Sequence, residues 1–160
     1  MEKDIKDVVY EWVDRISERK KEIDGLSLCP FSKRALIEKK VFWSELDDDP
    51  EIYIENCLDK LFDFEVAIFF DTKKELTDEH LSTIVNNLNK KRTDLIFLKS
   101  HPDNPGYIQG IFTGNGVYPA ILAQKKDKLE LARDALKKTK YYDFWDKDYL
   151  QEILGYGKKL

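Results

Sequence analysis

The 160-residue chain predicts an α/β (or α+β) fold: one domain over residues 1–160, with a four- to five-stranded mixed sheet, crossover helices and an extra N-terminal helix. Three observations predict it. The runs from Glu65 to Phe70 and from Leu95 to Leu98 are short and almost continuously apolar, as strands covered on both faces are. Segments with helical apolar spacing alternate with them, and such alternation implies a parallel or mixed sheet joined by crossovers. A hydrophobic content of 42 %, with 12 % aromatic residues, supplies a sizeable core.

Each element has its own reason. Ile5, Val8, Val9, Trp12, Val13 and Ile16 recur at helical spacing, so residues 4–20 form an amphipathic helix. Gly25 ends that region, after Arg19, Lys20 and Lys21. Leu36-Ile37 and Val41-Phe42-Trp43 read as one strand over 36–44. Asp49-Pro50 is an N-cap followed by a first-turn proline, opening a helix whose apolar set is Ile54, Cys57, Leu58, Leu61 and Phe62. The strand at 65–70 follows. Thr77 caps the next helix, with Leu76 and Leu81 placed as a hydrophobic staple, and Leu81, Ile84, Val85 and Leu88 form its apolar stripe. After the strand at 95–98, residues 99–116 are rich in proline and glycine, with an edge strand over 108–112. Val117 to Ala123 reads as the last strand. Asp127 with Glu130 resembles a capping box, starting a helix that runs to Lys138. The tail carries Tyr141, Tyr142, Phe144, Trp145, Tyr149 and Tyr156; so many rings are expected to pack on the body, in part through a short terminal helix.

Charge narrows the functions. The 27 basic and 31 acidic residues leave a net charge of −4, which argues against general nucleic-acid binding. The N-terminus Met1-Glu2-Lys3-Asp4 is charged and no long apolar run follows, so neither a signal peptide nor a membrane span is expected. Two cysteines are too few for a disulfide framework, and a reducing, cytoplasmic setting is the expectation.

Two stretches carry chemistry. Gly25-Leu26-Ser27-Leu28-Cys29-Pro30-Phe31-Ser32-Lys33 sets a cysteine in the break after the first helix, and Lys33 and Arg34 are near enough in sequence to favour its thiolate. The competing reading of Cys29 is a small buried apolar residue. Cys57 lies on a helix stripe and reads as core. His101 follows a strand, where α/β proteins bind ligands, and reads as a general base, an anion donor or a metal ligand, or else as a histidine that caps a turn before Pro102. His80 reads as solvated. Thr113-Gly114-Asn115-Gly116 offers backbone amides for an anion and Asn115 for a carbonyl, against the reading of Asn115-Gly116 as a hairpin turn. Cys29 and His101 do not make up a zinc ligand set, so no metal is expected, and no cofactor fingerprint is present. Asp47-Asp48-Asp49 reads as a solvated turn.

Cys29-Pro30-Phe31-Ser32 resembles the active-site motif of glutaredoxin-like and glutathione-transferase-like proteins, and Val117-Tyr118-Pro119-Ala120-Ile121 resembles their cis-proline segment. Here, however, a helix precedes the cysteine and Ser32 stands at the fourth position. Three segments together resemble a family of uncharacterised bacterial proteins, a domain of unknown function: the Leu28-Cys29-Pro30-Phe31 motif after an N-terminal helix, His101-Pro102, and Asn115 to Tyr118-Pro119 before a helix. Ser32 replaces the family's alanine. The resemblance implies a site shared by Cys29, His101 and Asn115.

The expectation is therefore a small enzyme or enzyme-like ligand binder. Cys29 serves as nucleophile or redox thiol and His101 as its base, while Lys33, Arg34, Thr113, Gly114, Asn115, Gly116 and Tyr118 line the site of a small-molecule or anionic ligand. The alternatives are a non-catalytic binding module using the aromatic tail, or a thioredoxin-like redox protein with a cis bond before Pro119.

Overall fold

The computed structural model describes residues 3–155; Met1, Glu2 and Tyr156 lie outside the described residues. It is a mixed α/β structure around a four-stranded sheet. Helix α1 (Ile5–Ser17) is followed by the two-residue strands β1 (Arg19–Lys20) and β2 (Leu26–Ser27), then α2 (Ser32–Ile37) and β3 (Val41–Glu45). Next come α3 (Pro50–Lys60), β4 (Val66–Phe70), α4 (Asp78–Lys91) and β5 (Leu95–Ser100). A small hairpin of β6 (Tyr107–Ile108) and β7 (Ile111–Phe112) precedes β8 (Ala120–Lys125), α5 (Lys126–Lys137), a 3-10 turn (Tyr141–Phe144) and α6 (Lys147–Gly155).

The sheet order is β3-β4-β8-β5. β4 runs parallel to β3, and β8 runs antiparallel to both β4 and β5. β3, β4 and β5 therefore point the same way, with their carboxyl ends on one edge. The apolar run of β4 is split by its pleat. Ala67 and Phe69 join Ile54 and Leu58 of α3 and Leu81, Val85 and Leu88 of α4 in one core layer. Ile68 and Phe70 join Val8, Val9, Trp12 and Val13 of α1 in the other. Burial on both faces is why the run reads as continuously apolar.

Several expectations hold in detail. Thr77 Oγ1 accepts from the His80 N–H at 3.1 Å to cap α4, and α1 has a cap of its own at Asp4 that the sequence reading did not name. Asp49 caps α3 with Pro50 in its first turn. His80 is exposed, and Cys57 packs against the α3/α4 core layer.

Others need correction. Leu36-Ile37 belongs to α2, so the strand expected over 36–44 begins only at Val41. The helix ends in a Schellman motif: Lys40 N–H donates to Ala35 O at 2.8 Å and Lys39 N–H to Leu36 O at 3.1 Å. Lys39 takes the left-handed conformation (φ 60°) that glycine usually supplies, so the stop carries no sequence mark. The expected edge strand 108–112 is instead a separate hairpin, turning at Gln109 and Gly110, both with positive φ (50° and 79°). α5 starts at Lys126 without a side-chain cap, and Lys126 N–H donates to Asp94 O. Among the described residues, Asp127 accepts only from the N–H of its neighbour Lys128.

Candidate functional site

At the carboxyl end of β5 a cavity of about 170 Å³ opens between the sheet, α1 and α6. Leu98 of β5 and Leu122 of β8 form its floor, and Trp12, Phe112, Tyr149 and Ile153 are its apolar walls. Its polar end is the Lys99-Ser100-His101 run with Asp78.

The 112–114 loop is held from α1. Trp12 Nε1 donates to Thr113 O at 2.9 Å, and the Arg15 guanidinium donates to the carbonyls of Phe112 and Gly114. Three successive carbonyls are thus fixed by two side chains one helical turn apart. Arg15 also lies 5.3 Å from the Phe112 ring centroid, and burial lowers its pKa. On the other side, Thr113 Oγ1 donates to Gly106 O at 2.9 Å and lies 3.0 Å from the Tyr149 hydroxyl. Burial is the main reason the Tyr149 phenol is pushed up.

Lys99 is nearly buried and its ammonium donates to Asp78 Oδ1 at 2.7 Å, while Asn104 Nδ2 donates to Asp78 Oδ2 at 2.9 Å. Burial pushes the Asp78 carboxyl up, but the bonds from Lys99 and Asn104 and the lysine charge outweigh it, and the net shift is down. Ser100 Oγ makes no hydrogen bond among the described residues. A Cβ on Gly114 would meet that oxygen at 3.1 Å, so the glycine keeps the hydroxyl open to the cavity.

His101 is a latch. Asp103 N–H donates to its Nδ1 at 3.0 Å, which places the ring proton on Nε2, and Nε2–H donates to Leu76 O at 2.9 Å. Leu76 N–H in turn donates to Oδ2 of the buried Asp71 at 2.7 Å. The chain Asp71–Leu76–His101 ties the loop after β4 to the loop after β5.

The expected site residues separate into groups. His101, Thr113, Gly114 and Gly116 share the cavity. The Asn115 side chain is turned onto its own loop: its Oδ1 accepts from the N–H groups of Val117 and Tyr118, both at 2.8 Å, and its Nδ2 donates to Tyr118 O at 3.0 Å. Tyr118 is buried, donates from its hydroxyl to Lys3 O, and faces a different, open groove beside β3 and β4. Lys33 is exposed, and Arg34 pairs with Glu38 at 2.6 Å and Glu65 at 3.0 Å.

Cys29 does not line the cavity. It is half-buried, its N–H donates to Ile16 O at 2.8 Å, and its carbonyl accepts from Ser32 Oγ at 3.1 Å. The Tyr141 hydroxyl donates to the preceding carbonyl, of Leu28. Burial, and to a lesser degree the charge of Cys29, raises the pKa of Tyr141 and Tyr142. The tail rings form a chain, Tyr141 to Trp145 at 5.7 Å and Trp145 stacked on Tyr149 at 5.3 Å, which runs from the hydrogen bond on the Leu28 carbonyl to the cavity lining. Tyr141 is buried and Tyr142, Phe144 and Trp145 are half-buried, so the tail packs on the body.

Lys99, Ser100, Asp78 and Tyr149 escape a reading of the sequence. Lys99-Ser100 directly precedes His101 at a strand end and carries the available signal. Asp78 reads as an ordinary first-turn acid and Tyr149 as one ring among many. Among the described residues no cluster of three His, Cys, Asp or Glu side chains is placed to hold a metal, and no helix is long and apolar enough to cross a membrane. No protein-family model, curated protein or solved structure matches the chain.

Proposed function

We propose that the chain is a small-molecule-binding protein, enzyme-like in layout, whose ligand occupies the cavity at the carboxyl end of β5. One observation carries this: a concave, apolar-floored space meets the ion pair of a nearly buried Lys99 with a half-buried Asp78, and an open serine hydroxyl, at the strand ends. Ligands of α/β sheets bind outside the carboxyl ends of strands, and pockets combine apolar walls with a few convergent polar groups. The size suits the reading, since an engineered apolar cavity of about 150 Å³ accepts benzene. His101 acts here by positioning the loop that carries the polar end. The resemblance to the uncharacterised bacterial family is consistent with a ligand site at His101 and the 113–116 loop.

The test is a fragment screen by two-dimensional NMR on the full chain. Hits are expected to shift the amides of Leu98, Ser100, Leu122 and Thr113. Ile153→Trp fills the space from the half-buried α6 side and should abolish those shifts. Hits that leave these amides unmoved, or survive Ile153→Trp unchanged, overturn the proposal.

The thiol reading of Cys29 is a second proposal, resting on its half-buried position against the Tyr141 and Tyr142 phenols. His101 is poorly placed as its base, because both ring nitrogens are bonded to backbone. Cys29 labelling by iodoacetamide no faster than Cys57 would remove this reading. The thioredoxin-like alternative loses its support, because the peptide bond before Pro119 is trans.

A further inference from the structure

We infer that a second copy of this chain docks antiparallel along β3, about a twofold axis beside Trp43, and joins the two sheets edge to edge. β3 is an outermost strand, paired only with β4. Lys40 O accepts from Val66 N–H at 3.3 Å and Leu46 N–H donates to Phe70 O at 2.8 Å, so the even-numbered residues of this run turn their backbone groups to β4. By the alternation of a strand, Val41, Trp43 and Glu45 turn theirs outward. Each carries one N–H and one C=O, so six groups stand along the edge with no strand to meet them. The Glu45 carbonyl accepts from Ser44 Oγ at 3.2 Å and keeps a second lone pair. No proline or bulge blunts the run, which pairs in unbroken register from Val41 to Glu45. The opposite edge is treated differently: on β5 the Asn89 side chain takes both backbone groups of Phe97.

Charge and symmetry pick the occupant. The run has a basic start, Lys39 and Lys40, and an acidic end, Glu45 with Asp47, Asp48 and Asp49. Lys40 is paired with Asp63 and Asp48 with Lys73, while Lys39 and Asp47 are exposed and form no ion pair among the described residues. An edge with opposite charges at its two ends is complementary to its own antiparallel copy. In a twofold pairing of this kind one residue faces itself. With Trp43 on the axis, Trp43 exchanges bonds with the partner's Trp43 and Val41 with the partner's Glu45, so all six outward groups are used. The same register sets Lys39 opposite the partner's Asp47, twice by symmetry. With Phe42 on the axis only Val41 and Trp43 find outward partners within the strand, and with Ser44 only Trp43 and Glu45. Apolar surface borders the edge: Tyr10, 44 % exposed, packs edge-to-face with Trp43 at 6.2 Å, and Ile37, just ahead of the strand, is 72 % exposed. Because the pairing is isologous and Asn89 closes the β5 edge, assembly stops at two copies.

Sedimentation velocity of the full chain, over a concentration series reaching about 1 mM, tests this. The wild type is expected to approach the mass of two chains. Glu45→Pro removes an outward N–H, leaves the β4 ladder untouched and is expected to stay monomeric throughout. Lys39→Asp, which suits the left-handed conformation of residue 39, and Asp47→Lys each turn two attractions into two repulsions. Each alone should weaken the dimer by about tenfold, and the double variant Lys39→Asp/Asp47→Lys should recover most of that loss. Chemical-shift dispersion shows which variants are folded, and the charge series decides by itself should Glu45→Pro not fold. A wild type that stays monomeric overturns the inference. So does a dimer that Glu45→Pro and the single charge variants leave unchanged, or a double variant no better than the singles.

Discussion

The Tyr149 ring occupies the space that a side chain on residue 106 would need: a Cβ built on Gly106 would lie 2.5 Å from Tyr149 Cε1. That contact brings α6 against the loop after β5 and makes the C-terminal helix a wall of the cavity. Gly106→Ala is expected to destabilise the protein by about 1–3 kcal/mol, the usual cost of overpacking. In a Tyr149→Ala background the clash is gone, and the same substitution should cost close to nothing. Urea unfolding of the four proteins of this cycle reads the difference, and equal costs in both backgrounds would disprove the relationship.

The acid limb of stability should report Asp78. Its folded pKa is below the unfolded value, so its contribution is full above the unfolded value near 3.8 and is lost as pH falls through the folded one. The urea midpoint of the wild type should therefore drop more steeply below about pH 4 than that of Asp78→Asn, which has no such group to protonate. Near neutral pH the variant should be the less stable of the two. Parallel acid limbs would show that the Lys99 and Asn104 bonds to Asp78 do not hold in solution.

Asn115 gives a graded test of its role in the loop. Asn115→Ala removes an acceptor used by two backbone N–H groups and a donor to Tyr118 O, at an expected cost on the order of 2 kcal/mol. Asn115→Asp keeps the acceptor and should recover more than half of the loss in thermal melting. An aspartate as damaging as alanine would mean that the two N–H bonds contribute little.

Asn89 blunts one edge of the sheet. Its Oδ1 accepts from Phe97 N–H at 2.9 Å and its Nδ2 donates to Phe97 O at 3.1 Å, closing ladder positions on the outer side of β5. Asn89→Ala should cost about 1–3 kcal/mol by leaving those groups unpaired, and should promote self-association. Sedimentation velocity across a concentration series checks the second effect; a monodisperse, concentration-independent variant would limit Asn89 to a stability role.

Much of the architecture is written locally. Alternation of helical and strand-like spacing, and the caps at Asp49 and Thr77, depend on residues within a few positions of one another, so the mixed α/β class and the central elements are legible in the amino-acid order. The apolar run of β4 announces a strand covered on both faces because its alternate residues feed two different cores. The stop at Lys39 is different. A lysine in a left-handed conformation is stabilised by its Schellman bonds, and nothing in its chemistry marks it, so α2 hides inside an apparent strand. Gln109-Gly110 takes the hairpin turn that Asn115-Gly116 advertises, because Asn115 spends its side chain on Val117 and Tyr118.

The candidate site divides the same way. By itself the sequence determined that chemistry-bearing residues cluster after β5, since His101 and the 113–116 glycines are local signals. Only the tertiary structure decided which of them meet. It joined Lys99 to Asp78 across 21 positions and set Trp12 and Arg15 of α1 against the 112–114 carbonyls. It turned both His101 nitrogens onto backbone and left Cys29 outside the lining of the cavity. Those outcomes depend on helix packing and strand order across the whole chain, and contacts of that range leave no periodicity for a local reading to find.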